Sequence, residues 1–119
     1  MTNLFKIRPL AINDYDKGYL NLLSQLTTVG EINKDKYEEN FNKLPECHKL
    51  FVIEDITKNT IVSIGSLIIE TKFIHNCGKV GHIEDIVVDR NWRGKGLGKM
   101  MINYLSKLSD ELECYKCIL

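Results

Sequence analysis

Seven consecutive residues, Arg93-Gly94-Lys95-Gly96-Leu97-Gly98-Lys99, put three glycines and three cations into one short segment. Glycine lets the backbone take positive φ and approach a ligand closely. A helix predicted to follow offers first-turn amides that have no partner within it, and its dipole favours negative charge at that end. With Arg93, Lys95 and Lys99 beside them, these amides make a cradle for a diphosphate. Spacing excludes two well-known cradles. A Walker A loop needs glycine where Arg93 stands and Ser or Thr where Met100 stands. The dinucleotide pattern G-x-G-x-x-G needs a third glycine where Lys99 stands. The arrangement that fits is Arg-x-x-Gly-x-Gly, as Arg93, Gly96 and Gly98. A glycine-rich turn without a ligand is the plain alternative.

A second chemical signal precedes the loop. His82-Ile83-Glu84-Asp85-Ile86-Val87-Val88 is an apolar strand interrupted by adjacent carboxylates. Two acids there are costly without partners, and regular pleating sends their side chains to opposite faces. A bulge would relax that geometry and free a backbone N–H. The plain reading of the two acids is an ion pair with Arg8 or a lysine. Lys72 and His75 are polar side chains that can donate hydrogen bonds. Singly, Lys72 also reads as a solvated strand end, His75 as a turn residue and Thr27 as a helix end.

These residues need a scaffold. Residues 4–8 alternate weakly up to Pro9 and predict a strand. Asn13 is the expected cap of a helix, with Asp16 in a box-like arrangement. Tyr15, Tyr19, Leu22, Leu23 and Leu26 recur at helical spacing, and Gly30 is the expected stop. Asn33 caps a second helix carrying Tyr37, Phe41 and Leu44, which Pro45 closes. Residues 50–54, 61–70 and 80–88 predict strands joined by polar turns. The middle one is apolar enough to lie centrally. Leu97, Met101, Tyr104, Leu105, Leu108 and Leu112 share one helical face after the loop, and residues 115–119 predict a last strand. The order predicts an α/β fold, a mixed sheet with helices against it.

The chain has 119 residues and equal numbers of acids and bases, 16 each, for a formal charge of zero. One small domain spanning residues 1–119 is expected. Zero net charge argues against general attraction to nucleic acid or an anionic membrane. No apolar run is long enough to span a bilayer, and residues 1–6 lack a leader pattern, so the expected location is cytoplasmic. Cys114 and Cys117 have CxxC spacing, but a second ligand pair is missing, with His75 and Cys77 a poor substitute, so no metal is expected. The four cysteines read as reduced, small hydrophobes.

Taken together, the segments Leu26-Thr27-Thr28-Val29-Gly30, Ile68-Ile69-Glu70-Thr71-Lys72-Phe73-Ile74-His75, Gly81-His82-Ile83-Glu84-Asp85-Ile86, the glycine loop and Cys114-Tyr115-Lys116 resemble the glucosamine 6-phosphate N-acetyltransferases of the GNAT superfamily. The loop alone resembles only the superfamily. The Lys-Phe-Ile-His and Ile-Glu-Asp-Ile segments resemble the narrower family. The resemblance covers nearly the whole chain and implies the GNAT acyl-CoA N-acyltransferase fold. It implies acetyl transfer from acetyl-CoA to glucosamine 6-phosphate, by direct attack on the thioester, for UDP-N-acetylglucosamine synthesis. It places Ile86, Val87, Val88, Gly94, Lys95, Gly96, Leu97, Gly98 and Lys99, with Arg93, at acetyl-CoA. It places Thr27, Lys72, Phe73, Ile74 and His75 at the sugar phosphate. Glu84, Asp85 and Ile86 fall around the amine, with Asp85 preferred over Glu84 as the group that holds it.

The resemblance also implies a continuation past Leu119: an acidic strand end, an Asn-x-x-Phe-Tyr helix and a last strand. The tyrosine of that helix is the family's proton donor to the departing thiolate, and those parts contribute to a homodimer. The fold is therefore expected to be C-terminally incomplete and the isolated chain marginal or aggregation-prone. Two other functions stay open: a GNAT enzyme for another amine, such as a polyamine or protein lysine, and a catalytically impaired CoA-binding module.

Overall fold

A computed structural model describes residues 4–119. The leader expectation rests partly on Met1, Thr2 and Asn3, which lie outside the described residues. Five strands form one sheet in sequence order: β1 (Phe5–Pro9), β2 (His48–Asp55), β3 (Thr60–Thr71), β4 (Lys79–Val88) and β5 (Cys114–Ile118). The first four run antiparallel to their neighbours and β5 runs parallel to β4. The polar turns allow tight hairpins, whereas the parallel step needs a crossover helix. That helix is α4 (Leu97–Glu111), on one face of the sheet. The other face carries a 3-10 turn at Ile12–Lys17, α1 (Tyr19–Leu23) and α2 (Lys34–Asn42).

Strand alternation divides the apolar residues between two cores. On β2, Val52 packs with Leu22 and Tyr37 on the α1 and α2 side, while Phe51 and Ile53 pack with Met101 and Leu105 of α4. On β4 the alternation changes phase. Ile83 faces α4, but Val87 faces α1, and Ile86 and Val88 face α4. The cause is a bulge. Ser66 pairs with Glu84 and Ile64 with Val87, so Gly65 stands opposite both Asp85 and Ile86. Asp85 carries the kink with φ 52°. The relaxed strand expected from the two adjacent acids is present.

Several local expectations are corrected. The first helix is not capped by Asn13, with Asp16 closing a box. The Ala11 N–H donates to Asp14 Oδ2 at 2.7 Å, and Gly18, at φ 85°, divides the segment into the 3-10 turn and α1. Helix α1 ends at Leu23, well before Gly30, and Leu26 is exposed. Three β-branched residues, Thr27, Thr28 and Val29, follow without helical structure. Asn33 does cap α2, accepting from the Lys36 N–H at 2.9 Å. The cysteines do not all pack inside: Cys114 is buried, but Cys47 and Cys77 are exposed. Tyr104 lies at the rim of its apolar face, its ring 5.2 Å from that of Phe51.

Arg8 is not a partner of the β4 acids. Its guanidinium forks onto Asp14, with both nitrogen–oxygen distances 2.8 Å, and also donates to Glu54 Oε1 at 3.0 Å. Lys17 reaches Glu54 Oε2 at 3.1 Å. Asp14 is wholly buried, so the fork supplies the partner that a buried charge requires. The Asp14 hydrogen bond is the main cause that raises the pKa of Arg8. Burial alone would push the Glu54 carboxyl up, but hydrogen bonds from Lys17 and Arg8 outweigh it and hold the carboxyl below its ordinary 4.5.

Candidate active site

β5 pairs with β4 only from Lys79↔Cys114 to His82↔Ile118. Among the described residues no strand lies along that edge at residues 83–88. The Asp89 N–H donates to Val62 O of β3 at 2.9 Å, so by alternation Val88 turns its backbone groups to the open edge. Arg93 Nε donates to Val88 O there at 3.3 Å. Ile86, two residues back, shares that orientation. An extended ligand arm bearing amides can pair with such an edge as a strand would.

The open edge leads into the glycine loop. A 3-10 turn at Arg90–Trp92 comes first, and α4 starts at Leu97, so Gly98 lies inside the helix. Gly94 and Gly96 have φ 80° and 79°, and an added Cβ on either would meet nothing within 4 Å. Their need for glycine is therefore conformational, and the surface above them is free for a ligand. Gly96 occupies the N-cap position of α4 with no side-chain cap, and no acid lies in the first turn. The orphan amides of Leu97, Gly98 and Lys99 are left for an outside acceptor. Arg93, Lys95 and Lys99 are exposed around them. This donor set fits a diphosphate, and the open β4 edge fits a long amide-bearing arm attached to it.

The loop has a second anchor that the sequence reading missed. Asp55, wholly buried at the end of β2, accepts from Trp92 Nε1 and from the Lys58 N–H, each at 3.2 Å. The signal available was an acid pair, Glu54-Asp55, ending an apolar strand much as Glu84-Asp85 interrupts β4.

Glu84 and Asp85 are both exposed, and among the described residues neither makes an ion pair. Asp85 lies close enough to Tyr19 of α1 to act on it. Burial first, then the charges of Asp85 and Asp14, push the Tyr19 phenol up to about 12. The bulge thus presents two uncommitted carboxylates beside the open edge, where an amine could be held and deprotonated.

Lys72, Phe73, Ile74 and His75 occupy the β3–β4 hairpin, beyond the Thr71↔Lys79 pair. Here the short turn α3 (Ile74–Cys77) has left-handed His75, Asn76 and Cys77. Phe73 is 93% exposed and Ile74 60%. His75 lies against Tyr115 of β5, ring centroids 4.2 Å apart. The backbone of this turn is several residues along β4 from Asp85. The Lys72 side chain narrows the gap by folding back to Glu70, Nζ to Oε2 3.3 Å. The other oxygen of Glu70 meets His82 Nε2 at 2.8 Å. Hydrogen bonds from His82 and then Lys72 hold the Glu70 carboxyl below its ordinary range. The reading of the residues gave His82 and Glu70 no role, although two-residue strand periodicity puts His82 on the face of Glu84. Thr27 is exposed at the opposite end of β4, near where Gln25 Oε1 accepts from the Arg90 N–H at 3.0 Å. The structure therefore groups Glu84, Asp85 and Ile86 with the open edge and loop, and leaves Thr27 and the residue 72–75 turn at its two ends.

A mixed sheet whose fourth strand bulges, opens at its edge and runs into an uncapped glycine loop defines an acetyltransferase of the GNAT type. The sequence pattern of the "Acetyltransferase (GNAT) family" matches residues 17–119. A glucosamine 6-phosphate N-acetyltransferase from Arabidopsis thaliana is 43% identical over 122 aligned positions, covering 100% of this chain and 82% of its own length. A relative from Drosophila melanogaster, named a probable glucosamine 6-phosphate N-acetyltransferase, is 49% identical over 93% of this chain. The chain spans 52% of the length of that Drosophila protein. The crystal structure of the Arabidopsis enzyme superposes with a TM-score of 0.93 at 44% identity, covering 98% of this chain and 81% of that one. A Trypanosoma brucei acetyltransferase structure gives 0.90 at 33% identity, covering 98% and 82%. The chain belongs to the GNAT acetyltransferase family, in its glucosamine 6-phosphate N-acetyltransferase branch.

Proposed function

We propose that the protein transfers the acetyl group of acetyl-CoA to the amine of glucosamine 6-phosphate, giving N-acetylglucosamine 6-phosphate. The observation that carries this reading is the continuity of the bulge at Asp85, the open edge at residues 86–88 and the uncapped start of α4. The names of the relatives support the acceptor.

When bound, acetyl-CoA supplies a thioester carbonyl open to attack by an amine. The amides of residues 94–99, with Arg93, Lys95 and Lys99, hold its diphosphate. Ile86 and Val88 pair with its amide-bearing arm, and one of their backbone N–H groups polarises the carbonyl. Asp85, assisted by Glu84, holds the acceptor ammonium and takes its proton, directly or through water. The freed nitrogen lone pair forms the new C–N bond, the C–S bond breaks, and the departing thiolate takes up, through water, the proton that the new amide nitrogen sheds. Thr27, Lys72, Phe73, Ile74 and His75 hold the sugar phosphate. No protein nucleophile takes part and no metal is needed. At full length the protein acts as a cytoplasmic homodimer, without nucleic acid or membrane partners, and its product supplies UDP-N-acetylglucosamine synthesis.

The test is release of free CoA thiol from acetyl-CoA with glucosamine 6-phosphate, a polyamine or a lysine peptide as acceptor. Turnover with the sugar phosphate is expected. Turnover with another amine alone would refute the acceptor. Binding of acetyl-CoA with no turnover on any acceptor would favour a non-catalytic module.

A further inference from the structure

Resting on that acceptor, we propose that Glu70 clamps Lys72 and His82 side by side as a receptor for the acceptor's phosphate, on the sheet face that also presents Glu84. One carboxylate meets both partners, His82 Nε2 at Oε1 (2.8 Å) and Lys72 Nζ at Oε2 (3.3 Å). An ionised carboxylate only accepts, so Nε2 carries its proton toward Glu70. When the ring is protonated, Nδ1–H is left to donate to a phosphate oxygen.

Placement favours this over an incidental surface pair. Ile83 packs toward α4, so its neighbours His82 and Glu84 face the other side of the sheet. Helix α1 covers that side at Ile64 and Val87. Farther along, the side chains of Glu70, Lys72 and His82 keep 46%, 30% and 28% of their exposure. They are accessible yet held, which lowers the entropy cost of gripping a ligand. His82 precedes Glu84 by one strand repeat, about 7 Å. A hexosamine 6-phosphate carries its amine and phosphate on opposite sides of one ring, so it can reach both groups. Glu70 is a positioning residue here. His82 contacts the substrate, and Lys72 reaches the site because its side chain is folded back.

The experiment compares kcat/KM for glucosamine 6-phosphate with that for unphosphorylated glucosamine, in the wild type and in E70Q and H82Q. The purified variants are first checked for unchanged acetyl-CoA affinity and thermal midpoint. The wild type is expected to prefer the phosphorylated sugar. Each substitution is expected to cut that preference roughly ten- to a hundredfold, through KM for the phosphosugar, with a smaller change on glucosamine. A preference retained in both variants, or equal losses on both sugars, overturns the receptor alone. A wild type without preference overturns the receptor together with the acceptor reading.

Discussion

The indole N–H of Trp92 donates to Oδ2 of Asp55 at 3.2 Å, tying the entry of the glycine loop to the end of β2. Asp55 is wholly buried, and its other oxygen accepts from the Lys58 N–H. An asparagine has one acceptor oxygen for these two donors, so Asp55→Asn must leave one unpaired. A loss of about 1–3 kcal/mol is expected in urea unfolding. KM for acetyl-CoA should rise while kcat holds. Trp92 is the only tryptophan, so its emission should shift when CoA binds. An unchanged spectrum at saturating CoA would contradict this coupling.

Gly96 has φ 79° with open space around it. Gly96→Ala should therefore cost conformational energy alone, about 1–2 kcal/mol, and should misdirect the first amides of α4. Calorimetric titration with CoA should show affinity reduced about tenfold. Equal affinity would show that these amides do not hold the ligand.

Gly65, opposite the bulge, is a packing site. A Cβ there would stand 2.7 Å from Met101 Cγ and 2.9 Å from Ile86 Cδ1. Gly65→Ala should destabilise by about 1–3 kcal/mol. The displaced Ile86 should lower kcat more than KM for either substrate, measured by steady-state kinetics.

Asp85 sits at φ 52°, a conformation asparagine tolerates. Asp85→Asn is thus a test of charge with the backbone preserved. Expected is a fall in kcat of about 10²–10⁴-fold, with acetyl-CoA affinity intact by titration. A variant with wild-type turnover would remove Asp85 from the chemistry.

The Arg8, Asp14, Glu54 and Lys17 cluster predicts an acid-sensitive fold. The Glu54 carboxyl is held below 4.5 when folded. Below that value the unfolded chain binds more protons, so the contribution of Glu54 is complete above 4.5 and fades as pH falls through the folded value. Urea midpoints should decline in that acidic window, less steeply in Glu54→Gln. Arg8→Ala, which strands Asp14, should cost about 3–5 kcal/mol at neutral pH.

What could be read from the residues follows a physical line. The glycine loop, the α4 face and the β4 bulge are local patterns, each visible in a handful of consecutive residues. Arg8 and Glu54 are 46 positions apart, and no spacing rule joins them. The split of the first helix was hidden because its apolar repeat continues across Gly18, whose left-handed backbone interrupts it. Glu70 and His82 lie between these cases. Hairpin pairing puts Ile68 beside His82, so a side chain two residues along β3 is within reach once the register is known.

The phase change in β4 makes the faces of Ile86, Val87 and Val88 depend on the kink itself. Straightening the kink without removing a residue would let Ile83 to Val88 pleat continuously, and the side chains downstream would trade sides. Val87 would be driven toward α4, and Val88 toward α1. A residue inserted after the kink would swap the faces in the same way, whereas deleting the kinked residue would keep Val87 and Val88 on their present sides and remove Asp85.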